Sequence, residues 1–263
     1  MSYVQMMNCG TLLAPGYPTV VCRCLLVVDD AGLGLVDTGI GLQDVARPEE
    51  RLGRALIDAA GFQFHEVDTA VRRIESLGYR PEQVNRIVLT HADPDHAGGL
   101  ADFPEATVDL AEEEWASVEA GHGRYVAAQF AHRPRVRLHG KGTRDWFGLE
   151  ARLLDWGGST EILLIPLFGH TLGHCGVAVR SGDRWLLHAG DAYYLRAELA
   201  DADHPVAALA ALRADDDAGR RASLEQLRRL AREHADRIDI VGYHDISEYP
   251  SDQPIGPTPT PRP

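Results

Sequence analysis

The sequence is poor in cysteine, in long apolar runs and in positive charge. Its 263 residues include four cysteines, namely Cys9, Cys22, Cys24 and Cys175. They have neither the paired C-x-x-C spacing of a zinc ribbon nor the density of a secreted disulfide scaffold, so we expect reduced thiols. No stretch reaches the roughly 18 apolar residues that span a bilayer, and the first residues lack the basic start and apolar run of a signal peptide. These absences predict a cytoplasmic protein with no membrane partner.

The charge balance excludes another class of partner. The chain has 39 Asp and Glu against 26 Lys and Arg, which leaves a net charge of -13. Clusters of basic residues hold nucleic-acid phosphates, so we predict no nucleic-acid partner. The hydrophobic content of 44% predicts one domain over residues 1–250. The proline-rich tail at 251–263 predicts a disordered segment.

Strand-like segments dominate the chain, and helical segments flank them. Residues 20–28 and 33–36 predict a hairpin that opens the domain. Helical spacing marks 49–60 and 66–77, and the second of these helices should bury one face, formed by Val67, Val71, Ile74 and Leu77. Further strands are predicted at 86–90, 107–110, 136–138, 162–166, 177–180, 185–188 and 238–241, with a helix at 219–235. This order predicts an α/β fold of packed sheets with helices outside.

The most informative motif follows the apolar run at 87–89. It places four metal-binding side chains within six positions, namely His91, Asp93, Asp95 and His96. Imidazole and carboxylate groups are ligands for zinc, iron and manganese. The motif therefore predicts a metal site at the end of a strand.

Three later segments carry similar residues, each at or just past the end of a predicted strand. They contain His170 and His174, then His188 and Asp191, and then His244. Delivery of several ligand-type groups to one edge of a sheet is far less probable by chance than any one of them. We interpret the remaining histidines as ordinary core or surface residues, namely His65, His122, His132, His139, His204 and His234.

With these motifs the chain resembles hydrolases of the metallo-β-lactamase fold. Members carry a His-x-His-x-Asp-His motif, a later His in a Gly-His-Thr-x-Gly-His context, an Asp after Gly and a last His. An early strand and turn that contains Asp37 also matches, and the resemblance implies that this Asp would support the site from behind its ligands. The resemblance implies a four-layer αββα sandwich.

The resemblance also implies roles for individual residues around two divalent metal ions. His91, Asp93 and His170 would hold the first ion, and Asp191 would bridge to the second. The second ion would be held by Asp95, His96 and His244. A hydroxide shared by the two ions would attack a carbonyl or phosphoryl centre, and Asp95 could also accept a proton. By the same resemblance, His174 would hydrogen-bond the site without ligating, and His188 would lie in the core or behind the ligands.

Asp93 departs from the family pattern, because most members have a second His there. Zinc is the expected metal, but an oxygen ligand favours harder ions and makes iron or manganese alternatives. It also lowers the positive charge of the site, so that bound water should be less acidic. Alternatively, the Asp93 side chain is too short to reach the first metal ion, and one metal is weakly bound or absent.

Within the superfamily the chain looks most similar to N-acyl homoserine lactonases, in which a Tyr three residues past the bridging Asp contacts the substrate. Tyr194 is at that position, where its hydroxyl could donate to a developing oxyanion. The alternative is a packed aromatic residue. We therefore predict hydrolysis of a small-molecule ester-like carbonyl, with a lactone first. Glyoxalase II-type thioester hydrolysis, phosphodiester hydrolysis and a non-catalytic metal-binding module remain as alternatives.

One segment, at 111–148, has no assigned role in this scheme. It mixes aromatic residues with charges and glycines between two predicted strands. It could form a lid or the contact of a homodimer, or it could be a helical insertion whose aromatics fill the core.

Overall fold

The computed structural model describes residues 2–248 and the short strand at 254–255. Its strands are β1 (Tyr3–Leu12), β2 (Val20–Asp29), β3 (Gly32–Val36), β4 (Phe62–Gln63), β5 (Val84–Val88), β6 (Thr107–Ala111), β7 (Arg135–His139), β8 (Arg144–Trp146), β9 (Leu149–Leu154), β10 (Ile162–Pro166), β11 (Cys175–Ser181), β12 (Arg184–His188), β13 (Ile238–Val241) and β14 (Pro254–Ile255). Its α-helices are α1 (Leu42–Ala46), α2 (Pro48–Leu52), α3 (Arg54–Ala60), α4 (Ala70–Ser76), α5 (Pro94–Ala97), α6 (Glu112–Glu119), α7 (Val206–Arg213) and α8 (Asp217–Glu233).

The strands form two sheets. The first has the order β14-β1-β2-β3-β5-β6-β7, with β4 paired to β1, and the second has the order β13-β12-β11-β10-β9-β8. Pairing is parallel from β3 through β5 and β6 to β7, and again between β12 and β13. Parallel neighbours end at the same edge of a sheet, so the loops that follow β3 and β5 lie side by side, as do those that follow β12 and β13.

Apolar side chains divide the molecule into four layers. Leu25 and Val88 of the first sheet pack against Leu164 of the second in one buried cluster. On its other face, the first sheet contacts helix α4 through Ile74, and the second contacts α8 through Leu227. The predicted αββα sandwich is therefore confirmed.

Several predicted elements differ from the structure. The domain opens on β1 and not on the hairpin, because this strand is buried along most of its length and lacks the alternation of a half-exposed strand. The predicted helix at 49–60 is split at Gly53, whose φ of 78° breaks the helical backbone. Val67 is 70% exposed and Leu77 39%, so their predicted burial was wrong. The reason is that α4 begins only at Ala70 and ends at Ser76, after a separate 3-10 turn at 66–68.

Segment 111–148 contains α6, β7 and β8, and Trp146 within it is buried against the second sheet. Most of the tail predicted to be disordered lies outside the described residues. The two described residues of the tail, Pro254 and Ile255, pair with β1, and the disorder of the remainder stays a prediction. All four cysteines are buried and free, as expected. Within the described part of the chain, no helix has the length and apolar character needed to cross a membrane.

Candidate metal centre

The loops that follow four strands bring the seven predicted metal ligands together. The motif after β5 supplies His91, Asp93, Asp95 and His96, and the loops after β10, β12 and β13 supply His170, Asp191 and His244. The first loop belongs to one sheet and the other three belong to its partner. The site therefore lies where the edges of the two sheets meet.

The ligand-type atoms form two clusters, within each of which they lie no more than 4.8 Å apart. We call His91, His170 and Asp191 the first cluster, and Asp95, His96 and His244 the second. Asp191 lies between them. Its Oδ2 is 3.4 Å from Nε2 of His170 and 3.3 Å from Nε2 of His244, and its Oδ1 is 3.4 Å from Nε2 of His96. This is the position expected of a carboxylate that bridges two ions.

The chemistry of these atoms fits divalent cations. Nε2 of His91, Nε2 of His96 and Oδ1 of Asp191 are buried and have no hydrogen-bond partner among the described residues. A buried polar atom without a partner costs free energy, and such atoms in native proteins are normally satisfied. Neutral imidazole nitrogen and carboxylate oxygen are the donors that zinc, iron and manganese accept.

His96 is held by groups behind it. Its Nδ1 donates to Oδ2 of Asp37 over 2.9 Å, and Asp37 also accepts from the backbone and hydroxyl of Thr90. The ring of Tyr243 stacks on His96 at a centroid distance of 3.7 Å. With Nδ1 fixed in this way, Nε2 faces the site as a lone-pair donor.

His244 and His91 have comparable supports, whereas Nδ1 of His170 has no hydrogen-bond partner among the described residues. Nδ1 of His244 donates to the Val21 carbonyl over 3.0 Å, and Nδ1 of His91 lies 3.0 Å from the Thr90 hydroxyl. Burial lowers the pKa of His91 well below its usual value, which keeps the ring neutral.

His174 touches the site without joining either cluster. Its Nδ1 donates to the Leu167 carbonyl over 2.9 Å, and its Nε2 accepts the backbone N–H of Asp191 over 3.0 Å. Burial lowers its pKa to about 3, consistent with a neutral ring. Gly190 has a φ of 54°, and a Cβ there would lie 2.5 Å from Nε2 of His174, so glycine permits this approach. His188 is buried and bonds the Arg23 carbonyl, which places it in the core.

Asp93 lies beside the first cluster, where its carboxylate contacts both the cluster histidines and Arg124. Its Oδ2 is 3.3 Å from Nε2 of His170 and 3.5 Å from Nε2 of His91. Arg124 donates to both oxygens, from Nε over 2.5 Å and from Nη2 over 2.9 Å. Burial disfavours the charged carboxylate, but the two histidines and Arg124 outweigh it and hold the pKa of Asp93 well below its usual value.

Two supporting residues from segment 111–148 were missed in the sequence. Arg124 ion-pairs with Asp93, and the buried Glu114 accepts from Ala92 N over 2.8 Å, Thr171 Oγ1 over 2.6 Å and Gly173 N over 3.2 Å. Glu114 thus joins the loops that carry His91 and His170. In the sequence, no local pattern distinguishes Arg124 and Glu114 from charged residues on the surface.

Tyr194 faces both clusters. Its side chain is 9% exposed, and its ring centroid lies 5.9 Å from that of His170 and 5.5 Å from that of His244. Burial, and then the charges of Asp191 and Asp93, raise the pKa of Tyr194 well above its usual value. The phenol is therefore neutral and able to donate a hydrogen bond.

Comparison with known proteins identifies the family of the chain. The model of the metallo-beta-lactamase superfamily matches residues 17–238, and the chain belongs to that family. It is 46% identical over 204 residues to the probable metallo-hydrolase Rv2300c of Mycobacterium tuberculosis, covering 74% of this chain and 64% of that protein. The chain thus spans under two thirds of the length of this relative.

Two further similarities are to a named lactonase and to a solved structure with a bound acyl homoserine. The chain is 29% identical over 178 residues to the N-acyl homoserine lactonase AttM of Rhizobium johnstonii, covering 65% of this chain and 64% of AttM. Its fold matches the crystal structure of a mutant of Bacillus thuringiensis AiiA with N-decanoyl-L-homoserine bound at the active site. That match has a TM-score of 0.72 and 19% identity, and covers 94% of each chain.

Proposed function

We propose that this protein is a metal-dependent hydrolase that opens a lactone or a similar ester of a small molecule. Membership of the superfamily and the likeness to a protein named metallo-hydrolase support the hydrolase. The likeness to AttM supports the lactone. The donor set supports two divalent ions, with zinc first and iron or manganese as alternatives because of Asp93.

His91, His170 and Asp191 would hold one ion, with Asp93 beside it, and Asp95, His96 and His244 would hold the other. Bound metal would supply a polarised carbonyl and a water of lowered pKa. Asp191 contacts histidines of both clusters and would keep the two ions at a fixed separation. The Asp95 side chain is 14% exposed and contacts His96 and His244, and it would accept a proton during the reaction.

The observation that carries the proposal is the location of Tyr194 between His170 and His244, one from each cluster. A substrate carbonyl held over the metal positions would lie against this ring. The neutral hydroxyl would then donate to the oxygen on which negative charge develops. Because the side chain is nearly buried, water would compete little for that hydrogen bond.

The test is a panel of lactones, thioesters and phosphodiesters with zinc-, iron- and manganese-loaded protein. We expect lactones to be turned over fastest, and Tyr194→Phe to reduce kcat by roughly 100- to 1000-fold with metal content unchanged. Tyr17→Phe, at a residue that is 44% exposed, is the matched control. Brisk phosphodiester or thioester turnover without lactone turnover would replace the substrate class, and no turnover with full metal content would favour a non-catalytic metal-binding module.

The cytoplasmic location and the homodimer contact at 111–148 stay predictions. Sedimentation of the purified full-length chain would check the dimer, and fractionation of the source cells would check the location.

A further inference from the structure

Arg124 is a nearly buried cation at the edge of the first cluster. Its side chain is 7% exposed. Besides Asp93, its Nη1 donates to the carbonyls of His170 and Arg213 and to Oδ1 of Asp215, at 3.0, 2.7 and 2.9 Å respectively. These bonds fix the guanidinium from several sides, so its location is a built feature and not that of a loose surface side chain.

The guanidinium uses the same lone pairs that a metal ion needs. Nη2 lies 2.8 Å from Nε2 of His170, and because guanidinium nitrogens only donate, that imidazole nitrogen is the acceptor. The same Nη2 and the neighbouring Nε occupy one lone pair on each oxygen of Asp93. A metal bound through His170 must displace this hydrogen bond, and one bound through Asp93 must share the carboxylate with a permanent positive charge.

The second cluster meets no such competitor among the described residues. Nε2 of His96 has no hydrogen-bond partner there, and the ion pairs of Asp95 are with His96 and His244. Its histidines are fixed through Nδ1, by Asp37 and by the Val21 carbonyl, which leaves each Nε2 directed at the site. The two clusters thus offer similar ligand atoms, but only the first has the positive charge of Arg124 hydrogen-bonded to one of its ligands.

We propose that Arg124 competes with the first metal ion for His170 and Asp93, so that the two metal positions differ in affinity and fill in a fixed order. The second cluster fills first, and the first fills only when the free metal concentration is high enough to displace Arg124 from His170. Arg124 is therefore a positioning residue that sets metal occupancy. The inference rests on the metal centre of the proposed function, but not on the lactone.

The experiment measures zinc bound to the full-length protein across a range of buffered free zinc concentrations. For the wild type we expect two separate steps, each of one zinc per chain. Arg124→Met keeps the alkyl stem and removes the charge, and we expect it to tighten the weaker step by roughly 10- to 100-fold, the size of effect typical of groups next to metal ligands. Arg135→Met makes the same change at an exposed residue of the same segment, and should leave both steps unchanged.

A second variant and a second measurement separate competition from a purely structural role. Asp215→Asn removes one support of Arg124 outside the ligand set, and should tighten the weaker step by a smaller factor. Thermal unfolding should show a larger zinc-induced rise of Tm in Arg124→Met than in wild type, because zinc would replace the guanidinium as the counter-charge of Asp93.

The proposal is overturned if wild-type protein takes up both zinc ions in one step, or if neither variant changes the weaker step. It is also overturned if Arg124→Met loses stability and zinc does not restore it. If Arg124→Met yields no folded protein, the affinity of the weaker zinc-binding step in Asp215→Asn decides whether the proposal holds. The zinc titration contains no substrate and so does not depend on the lactone. Two separate zinc-binding steps in a protein without lactonase activity would refute only the proposed function.

Discussion

The two clusters are made of the same residue types and lie side by side, but they are supported differently. The second is supported mainly from the first sheet, where Asp37 orients His96 and the Val21 carbonyl orients His244. The first depends on segment 111–148, through Glu114 beneath its loops and Arg124 at its edge. A ligand whose outer nitrogen is fixed by the protein binds a cation more readily than one already hydrogen-bonded to a cation, so support matters as much as ligand type.

The largest effect is expected where the clusters meet, at Asp191. Asp191→Asn removes the charge that both clusters share and should abolish most metal binding at both. Mutation of residues that hydrogen-bond metal ligands typically lowers activity by roughly 10- to 100-fold, and we expect a larger fall here. Elemental analysis and lactone turnover measure this, and Asp239→Asn on the exposed edge of β13 is the control. Retention of one tightly bound metal would show that the clusters are independent.

Asp37→Asn tests the support of the second cluster. The amide can turn its oxygen to accept from Nδ1 of His96, but it lacks the charge that favours this bond, so metal affinity there should fall by roughly 10- to 100-fold. Zinc titration measures the change. Asp109→Asn is a matched control, because Asp109 is also buried and pairs with a histidine, His139, away from the site. An equal loss at both positions would contradict separate support.

Glu114→Gln tests the support of the first cluster. One carboxylate oxygen becomes an NH₂ group, which cannot accept from the backbone N–H groups that Glu114 now binds. We expect a loss of about 1–3 kcal/mol in the free energy of unfolding and weaker metal binding at the first cluster only. Denaturant titration and zinc binding measure the two effects. A change confined to the second cluster would show that the assignment of supports is reversed.

The smallest effect on the site is expected from a half-buried acid outside both clusters, Asp102. Asp102 accepts from Leu42 N over 2.9 Å, and burial, then the charge of Asp44, raises its pKa to about 6. Because the folded state holds this proton more tightly than the unfolded state, its contribution to stability is lost as pH rises from about 4 to 6. Asp102→Asn keeps an acceptor and should raise the free energy of unfolding at pH 7 by roughly 1–3 kcal/mol. Denaturant titration at several pH values should show this gain vanish near pH 4, with zinc binding unaltered throughout.

The sequence predicted the layers and the ligand loops because both leave local patterns. Apolar runs such as 162–166 and 238–241 became β10 and β13 with the predicted bounds, and ligand-type residues follow strand ends. The supports of the site leave no such pattern. Arg124 meets Asp93 across 31 positions and Asp215 across 91, and only the packing of the sheets decides that these charges are buried.

Two hydrogen bonds attach His244 to Val21 of β2, near the other end of the chain. The backbone N–H of Val21 donates to the His244 carbonyl, and the Val21 carbonyl accepts from the ring, so residues 223 positions apart share one connection. A contact between residues so far apart closes a long loop of chain, so we expect it to form late in folding. During synthesis the emerging chain would carry the loops of the first cluster long before the second is complete. We therefore expect metal uptake by the second cluster to report that β13 is in place.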